Sequence, residues 1–356
     1  MNKRILIRSD ASSRIGAGHL MRMLALGQLL SDSGYEVHFA TIPYNPPVLS
    51  YLKDEPFQLH YLAQEEPWDA CKDLERLLNL ALEIRPLWLV LDGYQFRTDY
   101  EKGIKDGGFR LFRVQDIPAS HCVADVLLNQ NYGAEHMKHS TEPNTYLLAG
   151  LKYSLLRREF RTVNLNRKRF LERGRFHLLV SLGGGSEISD SLNLKIVEGL
   201  SEIRECDWSA TLIVGIMGQR SKTLMELANK SSMPIQVITE NRNIAFEMLK
   251  SDLAIVSCGS TMWELMYMKV PFLVVSLTEV QRDYLAFLAG EGLCVDLGWY
   301  ENLTPKRVRD SVLALADNVA QRGRMLEQAD KLLDRDNICR ELLKILNTET
   351  GVLNRL

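Results

Sequence analysis

The chain has 356 residues, of which 46% are hydrophobic and 25% charged, a composition typical of globular proteins rather than disordered, fibrous or membrane-spanning chains. Because a single hydrophobic core rarely grows to this size, we expect two domains. The formal net charge of -2 at pH 7 gives no general attraction to DNA or to an anionic membrane, so we expect no nucleic-acid partner.

The cysteines are scattered and form no CxxC pair, so the sequence predicts free thiols in a reducing cytosol rather than a zinc site or a disulfide framework. They are Cys71, Cys122, Cys206, Cys258, Cys294 and Cys339. The first apolar run is too short for a signal peptide, and no stretch approaches the length of a membrane span. We therefore expect a cytoplasmic protein without membrane insertion. We take it to be a monomer, although the sequence does not fix the oligomeric state.

Short apolar runs alternate with amphipathic helical stretches in the first half of the chain. Strands are predicted at 5–8, 37–42, 87–91 and 126–128, with helices at 20–31 and 74–82. A second series of strands is predicted at 178–182, 210–214, 235–238, 253–256 and 272–275, and the pattern is helical after about residue 305. This alternation is typical of βα units around parallel sheets.

The segment around residue 165 is polar and strongly basic, and we interpret it as a solvated linker in preference to a phosphate-binding patch. The predicted domains are therefore an N-terminal α/β domain at 1–160 and a C-terminal α/β domain at 170–335. A helical tail at 336–356 completes the chain.

The first predicted strand leads into a glycine-containing loop that ends at His19, where a helix begins. Gly16 and Gly18 let the backbone approach a ligand closely, and an imidazole at the helix start is suited to accept a proton near neutral pH. The loop is not a dinucleotide fingerprint, because Met21 replaces the last glycine, so NAD is not expected. The interpretation of His19 as a general base competes with a local capping or packing role.

A second glycine turn, at 183–185 and centred on Gly184, follows the first strand of the second domain. Its main-chain N–H groups could bind an anion or a sugar hydroxyl. A simple tight turn explains the same pattern equally well.

A third motif follows the predicted strand 253–256. Gly259 permits a turn, and the amides of Ser260 and Thr261 would lie at a helix N-terminus, which is suited to a pyrophosphate. Glu264 lies one helical turn later, where its carboxylate could accept hydrogen bonds from both hydroxyls of a ribose. A capping motif formed by Ser260 and Glu264 is the alternative.

Taken in order, these motifs resemble the UDP-2,4-diacetamido-2,4,6-trideoxy-β-L-altropyranose hydrolases of pseudaminic acid biosynthesis, the PseG family. The resemblance covers most of the chain and lies in RSDASSRIGAGHLMR (8–22), LDGY (91–94), QD (115–116), LNQNYG (128–133), GLKYSLLR (150–157) and GSTMWE (259–264).

The resemblance implies a GT-B fold, an α/β architecture of two Rossmann-like domains with parallel sheets facing across a cleft. The UDP is then held mainly by the second domain and the sugar faces the first. The implied reaction is attack of water on the anomeric carbon to give UDP and the free sugar, with no cofactor and no metal. His19 matches the family's catalytic histidine, and the polar groups expected to contact the sugar are Asp10, Tyr94, Asn131 and Gln281.

The chain departs from the family pattern at three places, which puts the identity of the sugar in doubt. Gln115-Asp116 replaces two consecutive aspartates, and Val280-Gln281 replaces Asn-Gln. Ser186 and the next two residues replace a frequent Asp-Pro after the second glycine turn.

Two alternatives remain open at this point. The same pair of motifs resembles the lipid-linked N-acetylglucosaminyltransferase of peptidoglycan synthesis, which passes its sugar to an acceptor instead of water. A non-catalytic protein that only binds a nucleotide sugar is the other alternative, and it predicts that His19 is dispensable.

Overall fold

The computed structural model describes residues 3–11, 17–44, 46–63, 65, 67–117, 120–165, 175–183, 187–204, 207–215, 222–239, 243–333 and 340–347. Most of the predicted linker and two predicted ligand residues, Gly16 and Gly184, lie outside these ranges. The chain divides into two compact units. The first comprises Met1–Arg158 with Asp334–Leu356, and the second comprises Glu159–Leu333.

The first unit contains a seven-stranded parallel sheet in the order β3-β2-β1-β4-β5-β6-β7. Its strands are β1 (Arg4–Ser9), β2 (Glu36–Thr41), β3 (Gln58–Tyr61), β4 (Trp88–Asp92), β5 (Leu111–Val114), β6 (Val126–Asn129) and β7 (Tyr146–Ala149). Its helices are α1 (Gly18–Asp32), α2 (Pro46–Lys53), α3 (Ala70–Ile84) and α4 (Thr98–Asp106), and α5 (Arg158–Thr162) begins at the boundary between the units.

The strands predicted from the apolar runs are β1, β2, β4 and β6, and the other three strands escaped prediction. β3 and β7 lie at the sheet edges and are partly exposed. β3 has the mixed sequence QLHY, whereas β7 is apolar throughout (YLLA) but only four residues long. β5 is fully buried but carries Arg113 in its centre, which hides the apolar pattern. That cation is tolerated because its Nε lies 3.0 Å from a carboxylate oxygen of the equally buried Glu101.

Helix α1 connects β1 to β2, and most of its residues are buried. Its sequence is rich in leucine and methionine and contains no β-branched residue, which favours a helix that is apolar on most sides. A Cβ on Gly27 would come within 2.8 Å of the Phe57 ring, so a glycine is required at this contact. The chain turns after α1 at Gly34, which has φ +82°.

The second unit contains a six-stranded parallel sheet in the order β10-β9-β8-β11-β12-β13. Its strands are β8 (Phe176–Ser181), β9 (Trp208–Val214), β10 (Ile235–Thr239), β11 (Leu253–Ser257), β12 (Phe272–Ser276) and β13 (Val295–Trp299). Its helices are α6 (Glu187–Ser201), α7 (Lys222–Lys230), α8 (Ile244–Lys250), α9 (Thr261–Tyr267), α10 (Glu279–Gly290), α11 (Pro305–Asp317) and α12 (Val319–Leu332). All of these strands except the edge strand β13 were predicted.

The last described helix, α13 (Arg340–Asn347), packs on the first unit. Leu342, Ile345 and Leu346 are almost completely buried. The indole N–H of Trp88 donates to the carbonyl oxygen of Leu346 at 3.0 Å. The end of the chain therefore contributes to the core of the unit in which the chain begins.

The two sheets confirm the predicted fold class of two α/β units with parallel sheets. In each sheet the strand order reverses beside the first strand of the unit, between β1 and β4 and between β8 and β11. Ligands of open α/β sheets bind at the carboxyl ends of strands beside such a reversal. In the described part of the chain, no helix is long and apolar enough to cross a membrane.

Candidate active site

His19 is the second residue of α1, and its side chain lies at the carboxyl edge of the first sheet. The residue is 6% exposed. Its Nδ1 lies 2.8 Å from Oδ1 of Asp92, the last residue of β4 and fully buried. Because β1 and β4 are neighbours, the strand order of the sheet places this carboxylate next to the loop that follows β1.

The contact with Asp92 fixes where the neutral imidazole carries its proton. Nδ1 also lies 2.9 Å from Nη2 of Arg22, which only donates, but that nitrogen already donates to Asp92 at 2.6 Å. Because an ionised carboxylate only accepts hydrogen bonds, we assign the hydrogen to Nδ1 of His19. The lone pair is then on Nε2, which makes no hydrogen bond to any atom of the described residues. A histidine in this state is suited to accept a proton through Nε2.

Arg22 holds Asp92 from the other side, one helical turn after His19. Its Nε and Nη2 each donate to one carboxylate oxygen at 2.6 Å, which is the bidentate geometry of strong arginine–carboxylate pairs. Burial alone would raise the pKa of Asp92, but the charge of Arg22, followed by that of His19, outweighs burial and lowers it. Asp92 is therefore ionised at neutral pH and accepts the proton of Nδ1 as a charged group.

Asp116 and Tyr94 extend the same cluster. Oδ2 of Asp116 accepts from Nη1 of Arg22 at 3.0 Å and from the hydroxyl of Tyr94 at 3.0 Å. Burial, followed by the charge of Asp116, raises the pKa of Tyr94, so its phenol remains a donor. The Tyr94 ring contacts the His19 ring edge to face with centroids 4.5 Å apart, and Tyr94 is 52% exposed.

The end of β4 and the loop after it, which carry Asp92 and Tyr94, are held by a buried cation. Arg113 donates to the carbonyl oxygens of Leu91 and Gly93 at 3.0 and 2.8 Å. Gly93 has φ +154°, and a Cβ there would come within 2.5 Å of a neighbouring side-chain oxygen. These constraints fix the direction in which Asp92 and Tyr94 leave the strand.

Asp10, which we expected to contact the sugar, is 2% exposed and surrounded by donors of the protein. Its Oδ1 accepts from Nη1 of Arg8 at 2.5 Å and from the backbone N–H of Ile42 at 2.8 Å, and its Oδ2 accepts from Gln95 at 3.1 Å. The carboxylate thus connects the ends of β1 and β2 with the loop after β4. This geometry favours an indirect role in positioning those loops.

Asn131 and Gly18 lie at the same edge of the sheet as His19. The Asn131 amide nitrogen is 3.4 Å from the backbone oxygen of Asp116, and its backbone N–H donates to Oδ1 of Asn129. Gly18 is exposed, and a Cβ there would meet no atom within 4 Å. The structure therefore brings Tyr94, Asn131 and Gly18 to the edge that carries His19.

In the second unit, the turn between β11 and α9 leaves several backbone donors unused. Ser260 precedes α9, and its side chain makes no capping hydrogen bond, so the arrangement differs from the capping motif considered above. The N–H groups of Gly259, Ser260 and Thr261 donate to no atom of the described residues. Three such amides at the start of a helix can bind an anion.

The remaining predicted residues of the second unit lie around this turn. Gln281 accepts from the backbone N–H of Leu277 at 2.8 Å and donates to the carbonyl oxygen of Cys258 at 2.7 Å, so its amide braces the turn from inside the protein. Glu264 is 8% exposed on α9. Gly183, with φ +87°, follows β8 on the neighbouring strand end.

Asp92, Arg22 and Asp116 were not among the predicted site residues, although all three lie within the motifs that carry the resemblance. Asp92 directly follows a predicted buried strand, and Arg22 lies three residues after His19 on a predicted helix. Asp116 follows β5, which was not predicted. Among the described residues, no group of three or more histidine, cysteine, aspartate or glutamate side chains has the geometry of a metal site.

Comparison with known proteins confirms the resemblance seen in the motifs. The chain is 28% identical over 302 residues to the UDP-2,4-diacetamido-2,4,6-trideoxy-beta-L-altropyranose hydrolase of Campylobacter jejuni, covering 82% of this chain and 98% of that protein. It is 27% identical over 291 residues to the uncharacterized protein MJ1062 of Methanocaldococcus jannaschii, covering 79% of this chain but only 57% of that protein. No family model matches the chain.

Solved structures show the same fold. MurG of Acinetobacter baumannii superposes with a TM-score of 0.66 at 16% identity, covering 97% of this chain and 99% of that one. Phytolacca americana UGT2, solved with UDP-2-fluoro-glucose and pterostilbene, superposes with a TM-score of 0.68 at 12% identity, covering 97% of this chain and all of that one. At these identities the likeness establishes the fold, and it confirms the predicted GT-B class.

Proposed function

We propose that the protein hydrolyses a UDP-activated sugar, UDP-2,4-diacetamido-2,4,6-trideoxy-β-L-altropyranose, to UDP and the free sugar. The observation that carries the proposal is the pair His19 and Asp92, which leaves Nε2 of a nearly buried imidazole with a free lone pair. Support for the substrate comes from the Campylobacter relative named as this hydrolase, which the chain matches over 98% of that protein's length.

His19 is the general base in this proposal. Its Nε2 takes a proton from a water molecule as the water oxygen attacks the anomeric carbon. The bond from that carbon to the diphosphate oxygen breaks, and UDP leaves with the electron pair. The imidazolium is stabilised by Asp92 through Nδ1 and afterwards gives its proton to solvent.

The second unit binds the UDP. Its diphosphate accepts hydrogen bonds from the amides of Gly259, Ser260 and Thr261, and the dipole of α9 offsets the negative charge that builds on the leaving group. Glu264 binds the ribose hydroxyls. In the first unit, Tyr94 and Asn131 contact the sugar, and the exposed Tyr94 ring offers an apolar surface for a sugar face.

A direct test follows UDP release from a panel of UDP-N-acetylhexosamines and diacetamido sugars, without an acceptor and with EDTA. We expect release of UDP from a diacetamido substrate under these conditions. Release only after an acceptor is added would show that the protein is a glycosyltransferase, since the same base could activate an acceptor hydroxyl.

His19→Ala separates the enzyme from a protein that only binds. We expect UDP affinity to be unchanged and turnover to fall by about 10²-fold or more, as is usual when a general base is removed. His121→Ala is the matched control, because this histidine is exposed and pairs with Glu142, and its loss should not change turnover. Equal turnover in His19→Ala and His121→Ala would refute the role of His19.

A further inference from the structure

The base has a permanent cation beside it. Nη2 of Arg22 lies 2.9 Å from Nδ1 of His19, the nitrogen that carries the hydrogen. Burial alone would lower the pKa of Arg22, but the charges of Asp92 and Asp116 outweigh burial and raise it, so the guanidinium does not lose its proton. Repulsion from Arg22 therefore opposes formation of the imidazolium on which the proposed reaction depends.

One carboxylate is not enough to make proton uptake by His19 favourable. Asp92 cancels the charge of Arg22, so these two groups together are neutral and protonation of His19 would leave a buried net positive charge. Asp116 adds a second carboxylate, which pairs with the outer nitrogen of the same guanidinium. The cluster is therefore one charge negative when His19 is neutral and becomes neutral when His19 takes up a proton.

The state of Asp116 agrees with this charge count. Burial would raise the pKa of Asp116, but Arg22, followed by His19, outweighs burial and lowers it, so the carboxyl is ionised at neutral pH. The attraction between Asp116 and a protonated His19 is mutual, and so the carboxylate stabilises the imidazolium in turn. Among the described residues, the groups that face His19 are Asp92 on β4, Tyr94 in the loop after it and Arg22 on α1. Asp116, after β5, lies behind Arg22 and interacts electrostatically with His19.

Asp116 is held through one of its two carboxylate oxygens. Its Oδ2 accepts from both Arg22 and Tyr94, whereas the buried Oδ1 has no hydrogen-bond partner among the described residues.

We propose that Asp116 is a positioning residue of the active site, which orients Arg22 and supplies the negative charge that lets His19 accept a proton beside that cation. This inference rests on the proposed function, since it explains how the base of that reaction works. An opposite charge within about 4–6 Å typically moves a titration by 1–3 pH units. Because Asp116 acts from behind Arg22, we expect the lower end of that range, about one unit.

The test is Asp116→Asn in the full-length protein, which removes the charge and keeps the shape. The His19 imidazole is followed by NMR in protein with labelled histidine, and its signals are identified by their absence in His19→Ala. We expect titration at a pH about one unit lower than in the unsubstituted protein. The acid limb of the pH–rate profile of UDP release should move in the same direction, with a lower plateau because the base is weaker.

Asp99→Asn is the matched control. It changes the net charge of the protein by the same amount at a fully exposed position on α4. We expect it to leave both the NMR titration of His19 and the pH–rate profile of UDP release unchanged. If Asp116→Asn does not fold, Asp116→Glu and Asp116→Gln provide the same comparison, since they differ from each other in charge alone. In the glutamate variant His19 should then titrate at the same pH as in the unsubstituted protein, and in the glutamine variant at a lower pH.

An unchanged His19 titration in the uncharged Asp116 variant would overturn the inference, and so would an equal shift in Asp99→Asn. The NMR titration needs no turnover, so failure of the proposed function is recognised separately. A protein that releases no UDP from any sugar but shifts its His19 titration in Asp116→Asn would refute the hydrolase activity and leave the charge balance intact.

Discussion

The substitution Asp92→Asn tests the arrangement of the base most directly. Asp92 accepts two hydrogen bonds from Arg22 at 2.6 Å and one from Nδ1 of His19 at 2.8 Å. An asparagine has one acceptor oxygen and one NH2 group. With its oxygen in the place of Oδ2, the NH2 group faces Nδ1 of His19, and the imidazole proton moves to Nε2, which can then no longer take a proton from water. With its oxygen in the place of Oδ1, Nδ1 keeps its proton and the NH2 group faces Nε of Arg22. In either orientation the imidazolium loses the carboxylate charge that stabilises it.

Two magnitudes follow from this geometry. Loss of the carboxylate charge, with or without loss of the Nδ1 tautomer, should lower kcat for UDP release by about 10²- to 10⁴-fold while UDP affinity is unchanged. Breaking a buried ion pair lowers the free energy of unfolding by about 3–5 kcal/mol when the remaining charge has no partner. Because Arg22 still pairs with Asp116, we expect a loss of stability toward the lower end of that range.

Initial rates of UDP release and urea unfolding measure the two effects, and the ¹⁵N shifts of His19 report the tautomer. Asp73→Asn is the matched control, because Asp73 is equally buried and pairs with Arg8 at 2.8 Å without contacting His19. It should lose stability and keep its turnover. The tautomer shows which orientation the asparagine takes, and normal turnover in Asp92→Asn would refute the reasoning.

Gly259→Ala should fold normally, because a Cβ there meets no atom within 4 Å, yet it should weaken UDP binding in calorimetry; unchanged affinity would place the diphosphate elsewhere. Ile345→Ala should lower the free energy of unfolding by about 2–5 kcal/mol in urea, since this α13 side chain is 1% exposed; a smaller loss would show that α13 packs loosely. The pKa values of Asp92 and Asp116 are lower in the folded protein than in the unfolded chain, so both carboxylates stabilise the fold. This stabilisation is at its full value above the unfolded carboxyl pKa of about 4, and it is lost as the pH falls through the pKa values of the folded protein. Asp116→Asn should therefore make the free energy of unfolding less dependent on pH below about 4, and an unchanged slope would contradict the ionised pair.

The local features of the site could be predicted from the sequence because they depend on neighbouring residues. Gly18 and His19 follow an apolar run in a strand–loop–helix pattern, and Gly259 follows another. Such patterns depend on backbone freedom and on periodic burial, which act within one segment of the chain. The parallel α/β architecture followed from the same periodicity.

Some of the site could not be predicted, even where the residues were visible. Ser260 and Glu264 fit a capping motif and an anion site equally well in sequence, and the structure shows that Ser260 makes no side-chain cap on α9. Gln281 reads as a polar ligand residue, but its amide is used to brace the turn after β11. Hydrogen bonds over such separations depend on which loops the fold brings together.

The sequence by itself determined where the proposed base lies, since His19 stands at the end of a glycine loop. It did not determine what would make His19 a base, because Asp92 lies 73 residues away and Asp116 contacts Arg22 over a separation of 94 residues. Those carboxylates reach His19 because β1, β4 and β5 are adjacent in the sheet and their carboxyl ends lie at one edge. The packing of the whole unit selects that strand order, and so the proton and charge arrangement around His19 is a property of the tertiary structure.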